Sequence, residues 1–418
     1  MKVSKEELKV ILNKTINLSS KLIQFYPKYG SLGIINAQNY LKSHLENNDW
    51  SQVIFESYNA KNIKTHPSYV MVSDFCSIYS DYEKFEKYNL IGLIDSKKQG
   101  PVLILNGHID VDIVDETISW HQKEEWNSGR VNEGKLFGRG ATDMLCGLSS
   151  LIEVANYLNN NKHLWCGKII FKSVMDEEIG GNGTLSSLIN LKDKGWYNDE
   201  YIECIIAEPT DNKLCTISLG FLHLKFYFSG IPIHMGVARK NHNALNQAVD
   251  FIQLFETFLK STLEKMKINH LINRFKYNFG VIKGGIDPAI PIEALELEAT
   301  IFYPEDVKKV VFMQLLSTLI SQHYNNSISI RESSFSFGGA NFYNNIFGKS
   351  CKNGKNIFSS PCDARLYKEF NIPTTIFGPG SLTEAHSINE YIEIKSVAQY
   401  IEILLKHMLD YFRGENVR

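Results

Sequence analysis

The sequence lacks three features that would place it in a specialised class of protein. Its 7 cysteines, spread over 418 residues, never form a C-x-x-C pair, so neither a disulfide framework nor a thiolate zinc site is indicated. No apolar run approaches the roughly 18–20 residues that a membrane-spanning helix needs. The first residues contain no apolar core of the signal-peptide kind. We therefore expect reduced thiols, a cytoplasmic location and no membrane partner.

An excess of charge of one sign is also missing. The 44 lysine and arginine residues nearly balance the 46 aspartate and glutamate residues, which leaves a formal net charge of -2. A chain this neutral has no global electrostatic attraction to nucleic acid. The composition, 44% hydrophobic and 22% charged, is that of a globular protein and excludes a disordered or collagen-like chain. At roughly 100–200 residues per domain, the length predicts two or three domains.

Short apolar segments alternate with helical patterns along much of the chain. Several of the segments are unbroken apolar runs, which is typical of strands buried on both faces of a sheet. Between them, the patterns at Cys146–Leu158 and Gly183–Lys194 predict helices. The sequence therefore predicts an α/β fold with a largely parallel central sheet flanked by helices. The predicted strands are Val53–Glu56, Leu90–Ile94, Val102–Asn106, Ile169–Val174, Ile202–Ala207 and Thr374–Gly378.

The middle of the chain has a different order of elements. A strand at Phe221–Phe228 and a long helix from Asn243 precede strands at Tyr277–Ile282 and Ala294–Tyr303 and a helix near Glu305. This β-α-β-β-α order predicts a smaller α/β sandwich inserted into a larger domain. We place the larger, discontinuous domain at residues 1–214 and 329–418 and the inserted domain at residues 215–328. The long helix is predicted to bury Leu245, Ala248, Val249, Ile252, Phe255, Leu259 and Leu263.

Five segments place a histidine or a carboxylate where an apolar strand ends or a turn begins. Ligands of open α/β sheets bind outside the carboxyl ends of the strands. Each segment alone has an ordinary structural explanation, such as a helix N-cap or a solvated acidic turn. Together they form a nitrogen and oxygen donor set without thiolate, which suits zinc, cobalt or manganese, and enough carboxylates for two metal ions. The residues concerned are His108, Asp110, Asp143, Asp176–Glu178, Glu208 and His386.

The order of these motifs resembles a family of di-zinc enzymes. That family includes acetylornithine deacetylase, succinyl-diaminopimelate desuccinylase, aminoacylase and carboxypeptidase G, and the similarity runs from about residue 90 to the end of the sequence. The motifs are Gly-His-Ile-Asp-Val-Asp, Gly-Arg-Gly-Ala-Thr-Asp-Met, Met-Asp-Glu-Glu-Ile-Gly, Ala-Glu-Pro-Thr and Glu-Ala-His-Ser-Ile-Asn-Glu.

The resemblance implies a set of metal ligands. Asp143 would bridge two divalent ions, which we expect to be zinc, with cobalt as the alternative. His108 and Glu208 would complete one metal site, and Glu178 and His386 the other.

The resemblance also implies roles for residues that bind no metal. Glu177 would be the general base for a hydroxide shared by the two ions, and Asp110 would orient the neighbouring histidine ligand. His234, in the inserted domain, would reach the active site of the partner subunit in a homodimer. Arg365 would bind a substrate carboxylate, and the peptide bond after Asp143 would be cis.

The implied activity is metal-dependent hydrolysis of an amide bond in an N-acyl amino acid or a related N-acyl amine. Glu208 is followed by Pro-Thr, as in the deacetylase and desuccinylase branch, and residues 215–328 would be a lid and dimerisation domain. A dipeptidase or carboxypeptidase is the alternative within the family, and a non-catalytic binding module is the alternative outside it. Two substrate-binding positions depart from the family, because Ala289 replaces an asparagine and the strand Ala299–Pro304 contains no arginine.

Overall fold

A computed structural model of the chain describes residues 3–58, 60–75, 81–84, 87–114, 125–193, 201–324, 327–342 and 356–413. The predicted helical residue Lys194 and two cysteines, Cys76 and Cys351, lie outside these ranges. The five cysteines inside them form no disulfide bond. None of the helices in these ranges combines the length and the apolarity that a membrane crossing requires.

The first helix of the described chain is set by a local signal at its start. The first begins with a capping box, in which the Ser4 hydroxyl accepts the Glu7 N–H (3.2 Å) and the Glu7 carboxylate accepts the Ser4 N–H (2.8 Å). The helices are α1 (Lys5–Phe25), α2 (Leu32–Glu46), α3 (Ala60–Ile63), α4 (Val72–Phe75), α5 (Cys146–Asn160), α6 (Asn182–Asp193), α7 (Ala244–Lys265), α8 (Lys309–Tyr324), α9 (Ala364–Glu369) and α10 (Ile394–Phe412).

The strands agree closely with the apolar segments of the sequence. All six strands predicted for the larger domain are present, and so are the three predicted for the middle of the chain. The strands are β1 (Gln52–Tyr58), β2 (Lys87–Asp95), β3 (Val102–His108), β4 (Val131–Asn132), β5 (Lys135–Phe137), β6 (Lys168–Val174), β7 (Ile202–Ile206), β8 (Cys215–Ser218), β9 (Gly220–Ser229), β10 (Lys276–Gly284), β11 (Ala294–Tyr303), β12 (Ile328–Glu332), β13 (Ala340–Asn341), β14 (Asn356–Phe358), β15 (Thr374–Ile376) and β16 (Tyr391–Glu393).

The largest sheet has a parallel centre, as the sequence predicts. Its order in the described residues is β1-β2-β6-β3-β7-β15-β8-β13, with β14 also pairing with β8. The pairs β6–β3, β3–β7 and β7–β15 are parallel, whereas β1, β2 and β13 pair in an antiparallel manner. Helices α1, α2, α5 and α10 pack on one face of the sheet, and α6 and α9 pack on the other. Burial on both faces explains the unbroken apolar strands.

A second, antiparallel sheet has the order β10-β11-β9-β12. Helices α7 and α8 cover one face of it, and the rings of Phe226 on β9 and Phe251 on α7 lie 4.7 Å apart. The strands of this sheet lie within residues 220–332, and β8, at residues 215–218, pairs within the larger sheet. A third, small sheet joins β16, β5 and β4.

Two details of the middle segment differ from the sequence prediction. On α7, Val249 and Ile252 are exposed (45% and 37%), because the buried face of the helix is centred on its phenylalanines. The predicted helix start near Glu305 is wrong, since α8 begins at Lys309. The preceding residues form a turn, and the Glu305 carboxylate accepts a hydrogen bond from Arg274 (2.7 Å).

Helix α5 approaches the central sheet so closely that only glycine fits at one position. A Cβ atom on Gly147 would clash with the backbone oxygen of Ala207, which directly precedes Glu208. This contact sets the distance between the helix and the segment that leaves β7.

We therefore expect Gly147→Ala to lower the free energy of unfolding by about 1–3 kcal/mol through overpacking. Alanine favours a helix over glycine by about 1 kcal/mol, so a net loss identifies the contact as the dominant effect. Urea denaturation measures the change. The control is Gly338→Ala, where a Cβ atom has nothing within 4 Å. A Gly147→Ala protein as stable as the control would contradict the prediction.

Candidate metal centre

Three of the predicted site segments meet because their strands are neighbours. Strands β6, β3 and β7 run parallel, so their carboxyl ends lie at the same edge of the sheet. His108 is the last residue of β3, the acidic turn Asp176–Glu178 follows β6, and Glu208 follows β7. The topology thus brings together residues that are up to 100 positions apart in the sequence.

Two further segments complete the cluster from outside the sheet. Asp143 lies in a turn at Ala141–Leu145, before α5, and its peptide bond to Met144 is cis, which confirms that prediction. The Asp143 carboxylate lies 3.1 Å from Nε2 of His108 and 3.6 Å from Nε2 of His386. Nε2 of His386 also lies 3.1 Å from the Glu178 carboxylate. The structure therefore brings all five predicted ligands into one place.

The donor atoms of the cluster are close enough to share metal ions. One group consists of His108, Glu177 and Glu208, and an overlapping group consists of His108, Asp143 and Glu178; in each group the donor atoms lie within 4.8 Å of one another. Oε1 of Glu208 is buried and accepts no hydrogen bond within the described chain. A buried carboxylate oxygen without a donor fits coordination to a cation, and so does the nitrogen and oxygen character of the set.

Several carboxylates lie close together in the cluster, and they raise the pKa values of neighbouring groups. Burial, together with the neighbouring Glu208, raises the pKa of Glu177 well above its usual range. Burial and the nearby Asp143 raise the pKa of Glu208 in the same way. The carboxylate of Glu178 raises the pKa of His386 to about 10. A divalent cation between these groups would supply the positive charge that protons supply in its absence.

His108 contacts Asp110 mainly through the backbone of the aspartate. The Asp110 carboxylate lies 3.8 Å from Nδ1 of His108, whereas the backbone oxygen of Asp110 lies at 2.8 Å. A carbonyl oxygen only accepts, so Nδ1 carries the proton and Nε2 faces the metal site. The carboxylate instead accepts the backbone N–H groups of Glu177 (3.3 Å) and Glu178 (3.1 Å). Asp110 therefore contacts both the histidine and the acidic turn, through different atoms.

Sequence reasoning missed the buried ion pair of Arg139 and Glu390. Nη1 of Arg139 donates to Glu390 (2.7 Å), and Nη2 donates to the backbone oxygen of His386 (3.3 Å). The other oxygen of the same glutamate accepts the N–H groups of Thr142 (3.0 Å) and Asp143 (3.2 Å). The pair therefore joins the turn that carries Asp143 to the segment that carries His386. Arg139 and Glu390 lie in two of the five family motifs, but their positions in the sequence do not indicate that they pair.

A second missed contact involves Asp112, which is also part of a quoted motif. Its carboxylate lies 3.4 Å from Nδ1 of His386. This contact leaves Nε2 of the histidine directed at Glu178 and Asp143. Asp112 is thus placed to orient the one candidate ligand that is itself exposed.

The remaining two predicted site residues are found in different settings. The Arg365 guanidinium is buried, lies 4.0 Å from the centre of the Phe337 ring and donates to the backbone oxygen of Gly180 (2.5 Å), just beyond the acidic turn. His234 lies on an exposed turn, where its Nδ1 accepts the N–H of Gly236 (3.1 Å). Its predicted role belongs to the active site of a partner subunit and stays a prediction.

Comparison with known proteins agrees with this geometry. Residues 104–410 match the model of peptidase family M20/M25/M40. A deformylase of N-formyl-4-amino-5-aminomethyl-2-methylpyrimidine from Halalkalibacterium halodurans is 28% identical over 355 residues, which cover 74% of this chain and 79% of the relative. A probable succinyl-diaminopimelate desuccinylase from Staphylococcus aureus is 27% identical over 359 residues, covering 75% of this chain and 84% of that protein.

The solved structures with the same fold include a dipeptidase. Dug1p from Saccharomyces cerevisiae superposes with a TM-score of 0.72, and the match covers 98% of both chains. Its sequence is only 12% identical, so this likeness concerns the fold alone.

Because Glu390 satisfies a buried arginine and two backbone N–H groups, we expect Glu390→Ala to be strongly destabilising. Removing one partner of a buried ion pair typically costs about 3–5 kcal/mol. Urea denaturation measures the loss. The control is Glu393→Ala, which removes a carboxylate that pairs with Lys395 at the surface and should leave the unfolding midpoint close to that of the parent. Equal midpoints for the two variants would refute the structural importance of the buried pair.

Proposed function

Because the chain belongs to peptidase family M20/M25/M40, we propose that it hydrolyses the amide bond of a small N-acyl amino acid or N-acyl amine. The observation that carries the proposal is the gathering of Asp143, Glu177, Glu178 and Glu208 around His108. The chain spans 79% and 84% of a deformylase and a probable desuccinylase, whose names describe removal of an acyl group from nitrogen. The likeness to a dipeptidase, at 12% identity, does not favour peptide substrates in the same way.

We propose that the site binds two divalent ions, zinc in the first place and cobalt as the alternative. His108 and Glu208 would hold one ion, Glu178 and His386 the other, and Asp143 would contact both. Imidazole and carboxylate donors without thiolate support this choice of metals. When bound, such ions lower the pKa of water towards 7 and polarise an amide carbonyl.

Glu177 is the proposed general base. It lies within the cluster beside His108 and Glu208, where its carboxylate can take a proton from the attacking water and return it to the leaving amine. The two hydrogen bonds from its turn to Asp110 fix the backbone that carries it. A base held in this way needs no rearrangement before it acts.

Arg365 is the proposed substrate-binding residue. Its guanidinium lies beside the acidic turn, bonded to the Gly180 oxygen, and a guanidinium binds carboxylates in a bidentate manner. Ala289 and the arginine-free strand β11 remove two groups that relatives use for substrate binding, so an N-acyl amine fits this chain as well as an N-acyl amino acid. The five cysteines of the described chain form no disulfide bond, in keeping with the proposed cytoplasmic, reducing location.

We further propose that residues 215–328 form a lid and mediate a homodimer. Strand β10 lies at an edge of the second sheet, and its Ile282 is 54% exposed. Val249 and Ile252 on α7 add exposed apolar surface to the same unit. An exposed strand edge with apolar side chains is suited to pairing with a second copy. In such a dimer, His234 would contribute to the partner's site and stabilise the oxyanion.

We expect Glu177→Gln to retain its metal ions and to lose about 10²–10⁴-fold in kcat, because glutamine cannot accept the proton. A panel of N-acyl amino acids, N-acyl amines and dipeptides, assayed with added zinc or cobalt, measures the activity of the parent and the variant. Atomic emission measures the metal content of each.

The panel also separates the alternatives. Faster hydrolysis of dipeptides than of N-acyl substrates would replace the deacylase assignment by a dipeptidase. Parental activity in Glu177→Gln would remove the role of Glu177. Fewer than about one metal ion per chain after gentle purification, with no turnover, would favour a non-catalytic binding module.

A mixed dimer tests whether His234 acts across subunits. We expect Glu177→Gln and His234→Ala chains to be almost inactive alone, because each homodimer lacks one group in every site. Co-expression should restore about a quarter of parental activity, since half of the dimers are mixed and each mixed dimer has one complete site. Light scattering measures the oligomeric state. Activity in His234→Ala alone, or no recovery on mixing, would contradict the arrangement.

A further inference from the structure

The acidic turn Asp176–Glu178 begins with a buried aspartate. Asp176 is fully buried, precedes Glu177 and Glu178, and has a positive φ of 75°. Non-glycine residues are uncommon in this region of backbone space, although aspartate enters it more easily than most. Its backbone oxygen accepts the N–H of Gly181 (2.6 Å), which closes the turn. The direction in which the turn presents the two glutamates therefore depends on how Asp176 is held.

Two tyrosine hydroxyls hold the Asp176 side chain. Oδ2 of Asp176 accepts hydrogen bonds from the hydroxyl of Tyr58 and from the hydroxyl of Tyr82 (2.7 Å). Both tyrosines are buried. Lys87 secures the second one, because its Nζ donates to the backbone oxygen of Tyr82 (2.7 Å) and lies 3.9 Å from the centre of the ring.

These tyrosines come from a part of the chain that precedes the family match. Tyr58 is the last residue of β1 and Tyr82 begins a short turn before β2, whereas the family match begins at residue 104. The Asp110 carboxylate accepts the backbone N–H groups of Glu177 and Glu178. Tyr58 and Tyr82 donate hydrogen bonds to the side chain of Asp176, the first residue of the same turn. The acidic turn is thus anchored twice, once from inside the matched region and once from outside it.

We propose that Tyr58 and Tyr82 are positioning residues of the active site, which hold Asp176 so that Glu177 and Glu178 face the metal centre. The segment before residue 104 thereby contributes positioning residues to the active site. This inference rests on the proposed roles of Glu177 as base and Glu178 as metal ligand. Neither tyrosine touches the substrate; each acts through the turn.

The test uses the full chain with Tyr58→Phe, Tyr82→Phe and the double substitution, which keep the rings and remove only the hydroxyls. Loss of groups that orient metal ligands typically costs about 10–100-fold in metal affinity or activity, and we expect the double variant to lose this much in kcat and in zinc affinity. KM should change little, because the substrate contacts remain. The single variants should lose less than the double, since one hydroxyl still holds the carboxylate.

Zinc titration of the metal-depleted protein gives a readout that does not depend on the substrate. The control is Tyr400→Phe, which removes an equally buried hydroxyl that has no hydrogen-bond partner in the described chain and should leave kcat and zinc affinity unchanged. Circular dichroism establishes that each variant is folded. If the double variant does not fold, the single variants decide, and at least one must lose about threefold or more in both quantities.

A folded double variant with kcat and zinc affinity within about twofold of the parent would overturn the inference. A fall in stability alone, with both quantities unchanged, would do the same, because it would make the tyrosines purely structural. The failure of the proposed function is distinguishable, since it appears in the parent chain as the absence of hydrolysis across the substrate panel, and the failure of the base role appears as full activity in Glu177→Gln. An inactive Glu177→Gln beside a fully active double tyrosine variant would overturn only the positioning role.

Discussion

The whole site depends on the cost of holding several carboxylates and two imidazoles together in one place. Burial raises the pKa of Glu177 and Glu208, and so does the repulsion of a neighbouring carboxylate, that of Glu208 for the first and that of Asp143 for the second. Keeping these groups ionised together is therefore costly without positive charge between them. Divalent cations would supply that charge, and the same cations would polarise an amide carbonyl for hydrolysis. A site of this kind needs a scaffold rigid enough to keep like charges close.

The scaffold meets this need with polar contacts between segments that are far apart in the sequence. Glu390 ties the Asp143 turn to the His386 segment through Arg139, and Asp110 ties β3 to the acidic turn after β6. Tyr58 and Tyr82 extend the same principle to the N-terminal part of the chain. Buried hydrogen-bonded networks fix side-chain directions more tightly than apolar packing, which tolerates sliding.

Much of the fold could be predicted from the sequence, because strands and helices are encoded locally. The apolar strands and the parallel centre of the sheet agree with prediction, and the cis bond at Asp143 confirms what the motif implied. The start of α8 was predicted near Glu305, whereas the helix begins at Lys309 and the Glu305 carboxylate pairs with Arg274, 31 residues away. Periodicity carries no information about such a partner. The sequence also gives no indication that the Asp110 carboxylate accepts the N–H groups of Glu177 and Glu178, because the acidic turn follows a different strand from the one that precedes Asp110.

The sequence by itself determined which residues are able to bind metal and the order in which they occur, since strand ends and motif spacing are local properties of the chain. Only the tertiary structure decided which of these side chains meet, which tautomer His108 presents, and which distant groups hold the turns in place. The physical reason is that hydrogen bonds and ion pairs such as Arg139–Glu390 and Tyr82–Asp176 join residues 94 to 251 positions apart. Their geometry exists only once the parallel strands have aligned at a common edge.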